Sequence, residues 1–142
     1  MPVRLTGDSI GQLAIVTKSI TAEVSVTATT SATGNTCLAF GSQYYQGGTY
    51  LVVVYTPYIT KGTTNIDIEL YDGTTFLTAL SGHLTASTVH PGGDMLAFVA
   101  LTGGNHTLKV TAFVDGGTGK FGAGDGATGD NPPAVGFVLP IA

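Results

Sequence analysis

Between residues 48 and 73 the chain reads GTYLVVVYTPYITKGTTNIDIELYDG, and this stretch constrains the fold more than any other. Within residues 65–71, Ile66, Ile68 and Leu70 alternate with Asp67, Glu69 and Tyr71. A period of two is what a half-buried strand requires, because successive side chains point to opposite faces of a sheet. Residues 50–55, YLVVVY, are apolar on both faces, so they read as a strand with no wet side. Pro57 is expected to end that strand, since proline cannot donate to a ladder, and Lys61-Gly62 to supply the bend. Asp72-Gly73 then reads as a turn that tolerates positive φ.

The rest of the chain repeats this pattern in shorter pieces. Residues 21–29 alternate, with Val24, Val26 and Ala28 on one face, and residues 30–35 form a loop. Residues 36–42 read as a short strand offering Cys37 and Ala39, or Leu38 and Phe40, to the core. Residues 43–48 read as a polar-aromatic connection. After a strand at 76–80, residues 81–93 are expected to be a loop carrying His83 and His90. Residues 95–101, MLAFVAL, are a second strand apolar on both faces. A turn at 102–105 leads into alternation over 106–114, a tight turn at 115–119 and a short strand at Lys120-Phe121. A glycine-rich loop over 122–131 precedes Pro132-Pro133 and a closing strand at 134–141. No segment of ten or more residues keeps a 3.6-residue period. Short strands separated by turn signals predict an all-β, antiparallel, jelly-roll-like β-sandwich of about eight to ten strands without substantial helix. Residues 1–14 read as an N-terminal arm or edge strand, and 15–142 as a single sandwich domain.

Composition sharpens this reading. Hydrophobic residues make up 43% of the chain and charged residues only 10%, against about 25% charged in ordinary domains. No apolar run approaches the ~18 residues of a spanning helix, and MPVRLTGDSIG lacks the apolar core of a secretion signal. Neither that signal nor the aromatic girdles of a membrane barrel is seen. A net charge of −4 with five Lys and Arg argues against nucleic-acid binding, which needs a basic surface. Cys37 stands alone, so stability must come from packing or oligomerisation. Two strands apolar on both faces, in a chain this poor in charge, imply cover by an arm or loop of the same chain or by another subunit. A subunit or lattice contact is the preferred reading.

The motifs carry little chemistry. Gly124-Asp-Gly126-Ala-Thr-Gly129 has GxGxxG spacing, but Pro132-Pro133 follows where a phosphate-binding helix should begin. Asp115, Asp125 and Asp130 sit among glycines without a calcium-loop pattern, so they read as turn aspartates. Asp67 and Glu69 share one strand face and read as solvated, since paired glycosidase carboxylates usually come from different strands. His83, His90 and His106 lack metal-ligand spacing. No serine lies in a nucleophile elbow, and Cys37 reads as a small buried hydrophobe. Asn105-His106-Thr107 is a formal glycosylation sequon that reads as a turn. The chain is therefore expected not to be an enzyme and to hold no cofactor or metal.

Three segments carry a resemblance: GTYLVVVYTPYITKGTTNIDIELYDGTT, the hairpin GGNHTLKVTAFVDGGTGKFGAGDG, and PPAVGFVLPI. Their G-T-Y-apolar strand, DGTT turn, GxHTxKV strand and GGTG turn resemble the β-sandwich modules of tailed-bacteriophage virion proteins, the trimeric jelly rolls of fibres and decoration proteins. The match spans about two thirds of the chain, from Gly48 onward. It implies a non-enzymatic virion structural protein, made in the host cytoplasm and carried on the capsid exterior. No fibre shaft precedes the sandwich, which favours a capsid decoration, or cement, protein. The implied partner is the major capsid protein lattice, with a homo-oligomer expected and a trimer preferred; neither nucleic acid nor membrane is implied. Leu51, Val53, Tyr55, Leu96, Phe98, Tyr44, Tyr45 and Tyr58 are the candidate subunit or lattice contacts, and residues 1–13 a candidate lattice-binding arm. The alternative is a tail-tip or fibre module that binds a receptor or glycan, with Tyr44, Tyr45, Tyr55 and Tyr58 as an aromatic platform.

Overall fold

The computed structural model describes residues 15–84, 90–124 and 131–141, with backbone alone at 81–84 and 90–92. The proposed arm at 1–14, together with Asp125 and Asp130, lies outside the described residues. Ten strands follow one another: β1 (Val16–Ile20), β2 (Val24–Val26), β3 (Asn35–Tyr45), β4 (Gly48–Thr60), β5 (Ile66–Asp72), β6 (Thr75–Leu84), β7 (His90–Leu101), β8 (Gly104–Val114), β9 (Gly119–Phe121) and β10 (Ala134–Pro140). The helical structure described is a single 3-10 turn, Ser31–Thr33, between β2 and β3.

All pairings are antiparallel, and the strands divide into two sheets. In the first, β7 flanks one side of β4. On the other side β10 runs opposite residues 50–55, and β9 continues opposite Ile59 and Thr60. Outside them lie β1, paired with β10, and β2, paired with β9. The second sheet has the order β3-β8-β5-β6. The chain thus passes back and forth between sheets, from β2 to β3, β3 to β4, β4 to β5, β6 to β7, β7 to β8 and β8 to β9. This interleaved, double-sheet arrangement is a jelly roll.

Alternation dictates what each sheet buries. Along β4, Tyr50, Val52 and Val54 face inward, and along β5 Ile66, Ile68 and Leu70 do the same. Leu108, Val110, Ala112 and Val114 of β8 meet them from the centre of the second sheet, and Phe121 plugs the β9 end. Each such side chain, fully buried, contributes about 1.5–3 kcal/mol relative to exposure. Turns hold the sheets in register. Gly73, at φ 57°, makes the expected β5–β6 turn. At the opposite end, the Asp115 carboxylate accepts N–H bonds from Thr64 and Asn65, while Asn65 Oδ1 accepts the Asp115 N–H at 2.9 Å. Asp115 thus lies in a turn, but its carboxylate reaches across to the turn before β5, where a turn aspartate is expected to bond its own neighbouring backbone.

Several boundaries differ from the sequence expectation. Pro57 does not end its strand; β4 continues to Thr60. The ladder leaves room for it: β10 stops opposite Tyr55, β9 starts opposite Ile59, and the β7 register passes from Thr56–Gly93 to Tyr58–Pro91. Thr56 completes the junction, its buried hydroxyl donating to the Gly122 carbonyl at 2.7 Å. The expected loop at 81–93 is shortened from both ends, because β6 runs to Leu84 and β7 begins at His90 against the long β4. The expected connection at 43–48 shrinks to Gln46-Gly47, since β3 extends to Tyr45. Bulges in β3, at Thr36–Leu38 and Ala39–Gly41, let Cys37, Leu38 and Phe40 all be buried; Gly41 takes φ 78° there. The alternatives offered for that strand's core face were therefore not exclusive.

Candidate functional site

The two strands whose sequences are apolar on both faces, β4 and β7, are hydrogen-bonded neighbours. Their second apolar faces fall on the same side, turned away from the core. Register places Phe98, Leu51 and Leu139 side by side across β7, β4 and β10. The next row is Leu96, Val53 and Phe137, and the one after it Asp94, Tyr55 and Val135. Asp94 is the one charge among these positions. Strand and residue spacings give this grid a backbone footprint of roughly 10 Å by 14 Å. Phe98 is 68% exposed and Leu96 58%. Leu51, Val53 and Tyr55 are half-buried, because neighbours across the strands shield their flanks. Beyond β10 the face continues into an open groove of about 620 Å³ lined by Thr17, Lys18, Ser19, Pro133, Val135 and Phe137.

The chain matches no known protein family, and no curated protein matches it in sequence. What the surface can do is set by its chemistry. A sheet face that is apolar but for Asp94 is suited to burial against another surface.

The tyrosines grouped as one aromatic platform are not together. Tyr45 is a core residue, packed edge-on against Tyr50 with ring centroids 5.2 Å apart, so it offers no contact surface. Tyr44 is exposed, but on β3 of the second sheet, while Tyr55 lies on the outer face of the first. Tyr58 donates its hydroxyl to the Glu23 carboxylate, which also receives Lys120 Nζ at 2.8 Å. The Glu23 bond pushes the Tyr58 phenol up to about 12. The topology explains the separation: Tyr44 and Tyr45 end β3 and Tyr55 and Tyr58 lie on β4, and these consecutive strands belong to different sheets.

Several titratable groups tie the scaffold together. His106 Nδ1 lies 2.5 Å from Asp72 Oδ2, and its Nε2 is 2.9 Å from the Thr102 carbonyl, which ties two turns at one end of the sandwich. The Thr107 N–H donates to the other Asp72 oxygen at 2.8 Å. Burial pushes Cys37 up to about 12, the state of a buried hydrophobe rather than a nucleophile. Glu69 accepts a hydrogen bond from Ser31 at 2.5 Å. Among the described residues no group of three or more His, Cys, Asp and Glu is placed to hold a metal ion. The side chains of His83 and His90 lie outside those described.

Proposed function

We propose that this chain is a non-enzymatic structural protein of a tailed-phage virion, seated on the outside of the head as a decoration protein. The observation that carries the reading is the apolar outer face of β7, β4 and β10. A contiguous face of this kind is a liability in free solution and an asset against a partner. The motifs behind the resemblance also occupy coherent places. Gly48-Thr49-Tyr50 opens β4, Asp72-Gly73-Thr74-Thr75 makes the β5–β6 turn, GNHTLKV opens β8, and the GGTG motif spans the turn between β8 and β9.

Magnitudes bear on how such a protein docks. Burying about 300 Å² of apolar surface is worth roughly 7 kcal/mol before association costs of a similar size. One such face alone therefore binds weakly. A homo-oligomer that presents several copies to a repeating lattice gains avidity from each added contact, which supports the expected oligomer. Bridging neighbouring shell subunits in this way opposes expansion or rupture of the shell.

The test is the copy number of this chain in purified virions, measured by quantitative mass spectrometry against the main shell protein. A simple whole-number ratio to the shell protein is expected. A handful of copies per particle moves the chain to a tail or vertex and makes receptor binding the better reading. Absence from the particle overturns the virion assignment.

A further inference from the structure

The outer face of the first sheet is wider than the three strands at its centre. β1 adds a fourth column: Thr17 lies opposite Phe137 and Ser19 opposite Val135, so both fall on the outer side. A fourth row, Ala100 and Thr49, is closed by Ile141, whose N–H donates to the Thr49 carbonyl at 3.0 Å. By alternation Ile15 continues the outer side of β1. Among the described residues six large hydrophobics are exposed, and four of them, Ile15, Leu96, Phe98 and Ile141, belong to this one face. Clustering of this kind, unlike scattered exposure, marks an interaction surface.

The two margins of the face are complementary to each other. At the β7 margin Leu96 and Phe98 form an exposed apolar ridge. At the opposite margin, along β10 and β1, the surface opens into the groove of about 620 Å³ bounded by Thr17, Ser19, Val135 and Phe137. Charge is divided in the same way. Asp94 is exposed on β7, while Lys18 is exposed on β1 and borders the groove. Asp94, Tyr55, Val135 and Ser19 make one row, so the acid and the lysine stand at nearly the same level along the strands. Neither is paired with an opposite charge among the described residues.

We propose that in free solution this face is covered by the same face of a second copy, in a two-fold pair whose axis runs along the strands between β4 and β10. Rotation about that axis lays β7 of each copy over β1 of the other without changing its level. The ridge of Leu96 and Phe98 then enters the other copy's groove, and each Asp94 meets the other copy's Lys18. Val53 and Leu51 of each copy cover Phe137 and Leu139 of the other at the centre. A two-fold axis across the strands would instead set ridge on ridge and press Asp94 against the row of Ala100, so shape and charge select the first arrangement. The strands of the two copies then share a mean direction, as in aligned sheet-on-sheet packing. Such a contact is isologous and closes at two copies. Four columns and four rows, with the side chains beyond their margins, give roughly 500–600 Å² per copy, so the pair buries about 1,000–1,200 Å², the lower range for specific association. The pair uses the face assigned above to the shell but does not rest on the virion reading; on a shell each copy would exchange its twin for the shell protein.

Sedimentation velocity of the full chain from about 5 to 500 µM reads the pairing directly, and the mass is expected to rise from one copy to two across that range. Asp94→Lys and Lys18→Asp, both at exposed positions, are expected to keep the thermal midpoint. Each alone is expected to weaken pairing about tenfold or more, because like charges then meet twice across the contact. Mixed in equal amounts, the two variants are expected to pair with each other as the parent does with itself, since opposite charges meet again at both margins. A parent that stays a single copy up to about 500 µM, or a mixture that pairs no better than either variant alone, overturns the proposal. No phage head enters this experiment, so its failure leaves the copy number in virions untouched, and a failed copy number leaves the pair.

Discussion

Phe98 of β7 lies directly across from Leu51 of β4 on the outer side of the first sheet, and 68% of its surface remains exposed. Because Phe98 contributes nothing to the core, charging it separates association from folding. Phe98→Glu is expected to leave the unfolding free energy in urea within about 0.5 kcal/mol of the parent. It is also expected to abolish co-sedimentation with undecorated phage heads, since a carboxylate buried in an apolar interface without a partner is strongly unfavourable. Undiminished co-sedimentation of a folded Phe98→Glu protein would show that docking uses another face.

The His106–Asp72 pair makes stability depend on pH in a direction the geometry sets. The Asp72 hydrogen bond, with that to the Thr102 carbonyl, raises His106 above its ordinary 6.5. Its contribution is therefore fully present below 6.5 and fades as pH rises through the higher folded value. Burial pushes Asp72 up, but His106 and the Thr107 N–H together hold it below its ordinary 3.8. That contribution is present above 3.8 and fades on further acidification. The pair stabilises most between about pH 4 and 6.5. A series of thermal melts across pH is expected to show the parent losing its margin over His106→Gln as pH climbs from 6 to 9. A margin that stays constant across that range would rule the linkage out.

Much of this fold is legible in single residues. Ile66, Ile68 and Leu70 announce β5 by their spacing, and Asp72-Gly73 its end, because strand period and turn chemistry are local properties. Pro57 misleads for the complementary reason: whether a proline stops a strand depends on the pairing it would have to make, and here the β7 register passes from Thr56–Gly93 to Tyr58–Pro91 with no pair at Pro57. The apolar face is half legible. Residues 50–55 and 95–101 each declare two apolar sides, but only the register shows that their outer sides merge and that Phe137 and Leu139 extend them. The opposite charges at its two margins leave no local signal, since Lys18 and Asp94 lie far apart in the chain and each alone reads as an ordinary surface residue.

Cys37 provides a chemical probe of the second sheet. With its thiol pushed up to about 12 by burial, only about one molecule in ten thousand carries the reactive thiolate at pH 8. Ellman's reagent is therefore expected to react with the native protein at the rate of unfolding, and at once in concentrated guanidinium. Among the described residues β3 is an edge strand, paired with β8. Fast reaction of native protein without a matching global unfolding rate would show that this edge opens locally.

Two glycines are expected to respond to alanine with opposite signs. A Cβ at Gly62 would lie 2.3 Å from the Gly116 carbonyl oxygen and 2.6 Å from Val114 Cβ, where the β4–β5 and β8–β9 turns interlock. The turns cannot separate cheaply, because Thr63 donates to that same Gly116 carbonyl at 2.7 Å and Gly62 to Asn65 at 2.9 Å. Gly62→Ala is expected to cost about 1–3 kcal/mol in urea unfolding, as overpacking against backbone does. At Gly93 on β7 nothing lies within 4 Å of the corresponding position, and the backbone is not left-handed. Alanine there removes freedom from the unfolded chain without a clash, so Gly93→Ala is expected to stabilise by about 0.4–1 kcal/mol. Equal midpoints for the two variants would mean that the turns around Gly62 yield, and that their interlock does not hold the ends of the two sheets together.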